Sequence, residues 1–195
     1  MEKPTILVVF LNYDPDDRNK EMTDKSRQSI FDNGGHFSFL EVRDVKGFVN
    51  AVNKGFEVKA DHYIFVANDV VIDDKNWIEK MTVPNAICGW RFGTFYLNGD
   101  KFPDFACFSL SREIYDKVGG MDVSFQEGYG FDDNDFTYRI KEAGYDIKDA
   151  QVKLKHLQNV TYNTHFGDTL RDMTEHNKRL FLDKLADKLG LNPFL

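Results

Sequence analysis

Three apolar runs in the first part of the chain each end in Asn or Asp. They are TILVVFLNYD (5–14), HFSFLEVRD (36–44) and HYIFVANDVVID (62–73), and segments with helical spacing separate them. Continuous apolar runs are typical of strands that are buried on both faces of a parallel sheet. The pattern therefore predicts an α/β fold that begins β-α-β-α-β, with parallel strands.

The second half of the chain has more turns. Asn98-Gly99 lies between apolar runs and predicts a hairpin. Ser111 is expected to cap a helix that ends at Gly119-Gly120. The remaining patterns predict a helix at about 132–143, a strand within 151–163 and an amphipathic helix over 170–189.

Composition and charge narrow the classes of function. The chain has 195 residues, 42% of them hydrophobic, and a net charge of −7. This suits one globular domain, and it disfavours a protein that stably coats nucleic acid because basic stripes are absent from the sequence. An acidic protein that handles an anionic ligand usually needs a metal ion or backbone amides to do so.

Cysteine usage and hydropathy bear on location. Cys88 and Cys107 both lie in apolar runs, so buried free thiols and a reducing compartment are expected. The apolar run at 6–11 is too short to span a bilayer and lacks a cleavage-site pattern. We therefore expect a cytoplasmic chain without a signal peptide or a transmembrane segment.

Polar side chains follow the three predicted strands. They are Asn12 with Asp14, Asp44, and Asn68 with Asp69. Each one alone is best explained by turn chemistry. Ligands bind at the carboxyl ends of strands in such sheets, so the three ends together favour a ligand site. A carboxylate such as Asp69 suits Mg²⁺ or Mn²⁺ that is shared with substrate phosphates.

The stretch GYGFDDNDFTYR (128–139) crowds three carboxylates at a predicted helix start. Asp132 can cap the helix, and Asp135 can pair with Arg139 one turn later. Helix capping leaves Asp133 without a structural explanation. Two adjacent carboxylates raise the pKa of one of the pair, as suits a general base, whereas the helix dipole lowers it, and the sequence leaves this balance open.

Two histidines are candidate metal ligands. A lone His is more often a surface or hydrogen-bonded residue. His156, or its competitor His165, could instead complete a mixed nitrogen and oxygen site with Asp69.

Several short motifs in the second half occur in a fixed order. They are Arg112-Glu113, Gly119-Gly120-Met121-Asp122, Asp132-Asp133-Asn134-Asp135, Arg139 and Ala143-Gly144-Tyr145. This order resembles the C-terminal half of inverting family-two glycosyltransferases, which have a GT-A (nucleotide-diphospho-sugar transferase) fold. Residues 47–71 are similar to the segment that leads to the metal-binding Asp-x-Asp motif of that family. The resemblance spans about residues 5–163.

The resemblance implies a Rossmann-type mixed, mostly parallel sheet flanked by helices, with the amphipathic helix at the C-terminal end. It implies a single domain over 1–195, with a nucleotide-sugar-binding half (1–86), an acceptor and catalytic half (87–165) and the C-terminal helix (166–195). The implied reaction is a metal-dependent, inverting transfer from a nucleoside-diphosphate sugar, with a UDP-sugar favoured, to an acceptor hydroxyl.

The resemblance also implies roles for individual residues. Asp69 and His156 would bind Mn²⁺ or Mg²⁺, Asp133 would be the general base, and Asp132 would hold the acceptor. The implied donor contacts are Asn12, Asp44 and Asn68. Aromatic side chains that form either an acceptor platform or ordinary core packing are Trp90, Phe95, Tyr96 and Tyr129. The acceptor is left open among a glycan, a lipid-linked sugar, a protein and a modified nucleobase.

Two alternatives are weighed against this function. The first is a non-catalytic nucleotide-sugar-binding module or an inactive relative, which is conceivable because Ala67 stands at the first position of the Asp-x-Asp motif. A nucleotidyltransferase is disfavoured because NYDPDDRN (12–19), after the first strand, is acidic and contains no glycine.

Overall fold

The computed structural model describes residues 4–93, 101–125, 129–157, 164–165 and 167–190. Its strands are β1 (Ile6–Asn12), β2 (Ser38–Arg43), β3 (His62–Ala67), β4 (Val70–Ile72), β5 (Ala86–Gly89), β6 (Phe92–Gly93), β7 (Phe102–Pro103), β8 (Cys107–Ser111), β9 (Asp146–Asp149) and β10 (Leu154–His156). Its α-helices are α1 (Lys20–Asp32), α2 (Phe48–Phe56), α3 (Trp77–Met81), α4 (Arg112–Val118), α5 (Asp132–Glu142) and α6 (Leu170–Leu189).

Six of these strands form one mixed sheet in the order β2-β1-β3-β8-β5-β9. β1 pairs in parallel with β2 and β3, and β5 pairs in parallel with β9. β8 runs antiparallel between β3 and β5. The predicted mixed, mostly parallel sheet with flanking helices is confirmed, and so is the predicted C-terminal helix α6.

The central strands are buried on both faces, as their unbroken apolar sequences require. Alternate residues of β1 enter two separate cores: Val9 packs in one core with α2, α4 and α5, and Phe10 packs in the other with α1 and α3. Gly55 lets α2 approach the sheet closely, because a β-carbon there would come within 2.8 Å of Val9 and 2.7 Å of Phe65. This packing fixes the strand ends at which polar side chains collect.

Some local predictions needed correction. The single strand predicted over 62–73 is two strands, β3 and β4, separated by Asn68 and Asp69. Neither α3 nor β9 was predicted from the sequence, and β9 is a short edge strand whose DIKD sequence carries three charges. β6 and β7 pair antiparallel, and the predicted turn at Asn98-Gly99 lies outside the described residues.

Both cysteines are buried free thiols, as predicted. Burial raises the pKa of Cys88 to about 11, so this thiol is protonated and inert near neutral pH. Among the described helices, none combines the length and the apolar composition that crossing a bilayer requires.

Candidate active site

The carboxyl ends of β1 and β3 bring their polar side chains together. Leu11 lies opposite Ala67 in the parallel register, which makes Asn12 and Asn68 neighbours. The Asn68 Nδ2 donates to the Asn12 Oδ1 at 3.3 Å. The expectation that these strand ends converge is therefore met for Asn12, Asn68 and Asp69.

A cavity of about 220 Å³ opens at this edge of the sheet. One wall is apolar and includes Leu11, Phe48, Ala51 and Phe105. The residues with functional side chains that line the cavity are Asn12, Tyr13, Asn68, Asp69, Asp104, Tyr129, Asp132, Asp133 and His156. Seven of the nine predicted site residues therefore line the cavity, and they include every proposed catalytic and metal-binding group.

Asp69 and His156 are brought together by the pairing of two short strands. β4 begins directly after Asp69 and runs antiparallel to β10, which places His156 opposite Val70. The His156 Nε2 lies 3.5 Å from the Asp69 Oδ2, and both side chains are largely buried. The His156 Nδ1 is buried and has no hydrogen-bond partner among the described residues.

The protonation of His156 is set by two opposing effects. Burial lowers the pKa of His156, but the hydrogen bond and the negative charge of Asp69 outweigh it, and the net pKa is raised. A carboxylate and an imidazole at this separation form a donor pair that a divalent cation can share.

The other two carboxylates of the site come from the first turn of α5. Asp132 was predicted to cap this helix, and that prediction was wrong: Asp132 is the first helical residue, and the capping position is Phe131. Phe131 has a left-handed backbone, with φ of 65°, and its side chain makes no capping hydrogen bond. The carboxylates of Asp132 and Asp133 line the cavity, and the Asp133 Oδ1 also accepts a hydrogen bond from the Asn134 amide at 2.8 Å.

Burial is the main influence on both of these carboxyl groups. It raises the pKa of Asp132, and it raises the pKa of Asp133 with further help from the negative charge of Asp132. The balance that the sequence left open is decided in favour of a raised pKa. Asp133 consequently holds a proton more tightly than an ordinary aspartate does.

Asp135, by contrast, has structural partners. The Arg139 Nε donates to its Oδ2 at 2.8 Å, which confirms the predicted pair. The Lys184 Nζ lies 3.1 Å from its other oxygen. Its charge is therefore neutralised within the fold and does not face the cavity.

Asp104 is a lining residue that the sequence interpretation missed. It lies in the loop before β8, where its Oδ1 accepts a hydrogen bond from the Ala106 amide and its Oδ2 pairs with the Arg91 Nε at 3.1 Å. A single Asp within the aromatic stretch FPDFACF (102–108) was the available signal. Tyr13, which follows β1 directly, was a second missed lining residue.

The potential inside the cavity is negative. Burial raises the pKa of Tyr129 to about 12, and the carboxylates of Asp133, Asp132, Asp69 and Asp104 add to the effect. The same negative charges that raise the pKa of Tyr129 would stabilise a cation bound in the cavity.

Asn12 lines the cavity, but its amide is engaged by the fold. The Asn12 Nδ2 donates to the Glu41 Oε1 at 2.7 Å, and Arg27 binds both oxygens of Glu41. The network holds the side chain of Asn12 in a fixed orientation beside Asn68.

Two predicted contacts lie away from the cavity lining. Asp44 is exposed, pairs with Arg43 at 3.2 Å, and accepts from the Asp14 amide. Trp90 is half-buried, with the Arg91 guanidinium 4.2 Å from its ring centre. Their roles in donor and acceptor binding stay predictions, and Phe95 and Tyr96 lie outside the described residues.

His165 belongs to a second cluster, at the loop between β1 and α1. Its Nε2 lies 3.4 Å from the Asp14 Oδ1, and its Nδ1 lies 4.0 Å from the Asp16 Oδ1. Ligand atoms of these three residues lie within 4.8 Å of one another, so they too could hold a metal ion.

Comparison with known proteins gives matches at the level of sequence segments. A family model described as the N-terminal domain of galactosyltransferase matches residues 95–165, the part of the chain that contains Asp132, Asp133 and His156. Uncharacterised proteins of Mycobacterium tuberculosis and Mycobacterium bovis are 38% identical over 60 residues, which is 30% of this chain. The matched segment covers 23% of the length of those relatives.

Solved structures match over most of the chain. Drosophila β1,4-galactosyltransferase 7, in complex with manganese, UDP-galactose and xylobiose, superposes with a TM-score of 0.57 and 15% identity. That match covers 82% of this chain and 73% of the galactosyltransferase chain. A mannosyltransferase of Pyrobaculum calidifontis, in complex with GDP-mannose and Mn²⁺, has a TM-score of 0.52 and 11% identity over 75% of this chain and 54% of its own.

The chain has the GT-A fold of glycosyltransferases. The predicted fold is thereby confirmed, whereas the finer assignment to the family-two enzymes stays a prediction. In this GT-A domain the cavity lies at the carboxyl edge of the parallel strands β1 and β3, where ligands of such sheets bind.

Proposed function

We propose that this GT-A domain is a metal-dependent, inverting glycosyltransferase that moves a sugar from a nucleoside-diphosphate sugar to an acceptor hydroxyl. One observation carries the proposal: Asp69, His156 and Asp133 come from three separate parts of the chain and line one negatively charged cavity. A UDP-sugar is the favoured donor. The relatives of similar fold that bind UDP-galactose or GDP-mannose together with Mn²⁺ support this reaction class.

The residues present fit a divalent cation. The Asp69 carboxylate and the His156 imidazole offer oxygen and nitrogen atoms 3.5 Å apart, and the buried His156 Nδ1 has no other partner among the described residues. These two residues would hold Mn²⁺ or Mg²⁺. The cation would supply positive charge to the diphosphate of the leaving group.

Asp133 acts on the acceptor. Its carboxylate takes the proton of the acceptor hydroxyl as the oxygen attacks the anomeric carbon, and the bond from that carbon to the diphosphate oxygen breaks. The electron pair of the broken bond leaves with the nucleoside diphosphate. A single displacement of this kind inverts the anomeric configuration.

The remaining lining residues bind and orient. Asp132 and Tyr129 would contact the acceptor, while Asn12 and Asn68 would contact the donor at the ends of β1 and β3. The apolar wall around Phe48 and Phe105 excludes water from the reacting atoms. The acceptor class is a glycan, a lipid-linked sugar, a protein or a modified nucleobase.

The test is a panel of nucleotide sugars with Mn²⁺, read first by thermal shift and then by release of nucleoside diphosphate. We expect one donor to stabilise the chain only with the metal and to be turned over when a suitable acceptor is added. Stabilisation without release of sugar to any acceptor or to water would favour the non-catalytic module. A product that retains the anomeric configuration, seen by NMR, would contradict the single displacement.

A further inference from the structure

The face of α6 that packs on the domain contains one fully buried amide. Asn177 has 0% of its surface exposed, and Phe181 one turn later has 4% exposed. An amide at such a position needs an explanation, because burying it is unfavourable unless it is hydrogen-bonded.

The amide of Asn177 contacts the backbone that leads into α5. Its Nδ2 donates to the Gly130 carbonyl at 2.8 Å and to the Phe125 carbonyl at 3.3 Å. Gly130 lies two residues before Asp132. Close by, the Tyr129 amide donates to the Met173 carbonyl of α6 at 3.3 Å.

The backbone at this point is strained. Gly130 and Phe131 both have positive φ, of 70° and 65°. A left-handed conformation is unfavourable for a residue other than Gly, so at Phe131 it persists only where the surroundings fix it. Asn177 binds the carbonyl that joins Gly130 to the strained Phe131, and the Phe131 ring packs against Phe181 with ring centres 5.9 Å apart.

Stability alone gives a poor account of this side chain. The Asn177 Oδ1 is buried and has no hydrogen-bond partner among the described residues. Burying an acceptor without a hydrogen-bond partner lowers the stability of the folded state. An apolar side chain would suit the buried face of α6 without leaving an acceptor unpaired. The reason for an amide at this position therefore lies in its hydrogen bonds to the Phe125 and Gly130 carbonyls.

We propose that Asn177 is a positioning residue for the carboxylates of α5, and this inference rests on the proposed function of Asp133. By binding the Gly130 carbonyl, Asn177 fixes the left-handed backbone of Gly130 and Phe131 before α5. The first turn of that helix then presents Asp132 and Asp133 to the cavity. Although α6 contributes no described side chain to the cavity lining, it sets the geometry of the base.

Two variants test the proposal. Asn177→Leu removes both donors while it keeps a branched side chain of similar shape, and Asn177→Ser is smaller and retains a single donor. Both variants are expected to lower kcat about 10- to 100-fold, because small misplacements of a reacting group have effects of that size. The KM for the donor should not change, since Asn12, Asn68 and Asp69 lie on other elements.

Hydrogen exchange gives a readout that is independent of turnover. Exchange at the amides of residues 129–133 should become faster in both variants, while exchange in β1 stays as in the wild type. Lys178→Ala, at the exposed neighbouring position on α6, is the matched control and should change neither exchange nor kcat.

Folded variants that keep the wild-type kcat and the wild-type exchange would overturn the proposal. So would a fall in kcat that only follows the loss of folded protein, with exchange increased throughout the chain. If the wild-type chain transfers sugar from no donor, the proposed function fails. Exchange at residues 129–133 then decides by itself whether Asn177 fixes this segment.

Discussion

Two clusters of aspartate and histidine within the described residues differ in how their polar atoms are satisfied. In the first, at the cavity, Asp69 pairs with His156, whose buried Nδ1 has no partner among the described residues. In the second, Asp14 and His165 have partners within the fold. Both oxygens of Asp14 accept from the Asn19 amide, at 3.0 and 3.1 Å, and the two ring nitrogens of His165 lie 3.2 and 3.4 Å from side-chain nitrogens of Arg18 and Asn19.

The comparison shows that the composition of a cluster does not identify a metal site. The cluster around His165 holds a cationic guanidinium beside the imidazole, and its hydrogen bonds fasten the chain at 164–165 to the loop after β1. The cluster around His156 has nearby carboxylates and open volume instead. We therefore propose that Asp69 and His156 hold the metal and that Asp14 and His165 have a structural role.

The largest expected effect comes from Asp133→Asn. The amide cannot take the acceptor proton, so kcat should fall about 10²- to 10⁴-fold, the usual contribution of a general base. Donor affinity, measured by calorimetry with UDP and Mn²⁺, should stay close to the wild-type value. Normal turnover by this variant would show that Asp133 is not the general base.

The matched control is Asp135→Asn on the same helix. Asp135 pairs with Arg139 and Lys184, so its loss should lower the melting temperature and leave kcat largely intact. Equal losses of kcat in the two variants would mean that the helix, and not the base, had been damaged.

The next largest effect concerns the metal. Asp69→Ala and His156→Ala should each weaken Mn²⁺ binding in the presence of UDP by at least about tenfold, since even the outer partners of metal ligands contribute that much. The unbound Mn²⁺ signal in EPR measures the affinity directly. Asp16→Ala, in the other cluster, is the control and should bind Mn²⁺ as the wild type does.

A smaller effect is expected in the dependence of kcat/KM on pH. The base must be ionised, and burial together with the charge of Asp132 raises the pKa of Asp133. Activity should therefore fall as the pH is lowered. An ordinary carboxyl group titrates near pH 4, and this fall should occur at a higher pH. Asp132→Asn removes one raising charge, so the acid limb should move to lower pH.

The groups that face Asp133 make this experiment specific. They are Asp132 on its own helix, Asp104 from the loop before β8, and the protonated Tyr129 phenol. Asp104→Asn should move the limb in the same direction by less, because its charge is the weaker influence. If the acid limb of the kcat/KM profile lies at the same pH in both variants as in the wild type, the titrating group is not Asp133.

Much of the fold was predictable because burial on both faces leaves a plain pattern in sequence. The runs that became β1 and β3 are continuous and apolar, and each ends in polar residues. The edge strand β9 could not be found in this way, because DIKD resembles a loop until pairing with β5 gives it a partner. The break between β3 and β4 was hidden for a similar reason, since Val70 and Ile72 continue the apolar run.

The candidate site was predictable in its residue types but not in its contacts. The spacing of Asp135 and Arg139 predicted their ion pair, but only the structure shows that Asp132 lines the cavity and does not occupy the capping position of α5. Asp44 ends a strand just as Asn12 does, yet Arg43 draws its carboxylate outward. Such outcomes depend on side chains from distant parts of the chain, which no local pattern encodes.

The smallest effect on chemistry is expected from His165→Ala, and it decides the comparison. The substitution removes the edge contact with Tyr13, whose ring centre is 5.4 Å away, and the contacts with Asp14 and Arg18. Loss of these contacts should lower the free energy of unfolding by about 1–2 kcal/mol, as for a part-buried hydrogen-bonded group. Mn²⁺ affinity should be unchanged, and the donor KM should rise slightly because Tyr13 lines the cavity. Urea unfolding and EPR titration on the same sample separate the two roles, and a loss of Mn²⁺ binding as large as that of His156→Ala would show that the assignment of the metal to Asp69 and His156 is wrong.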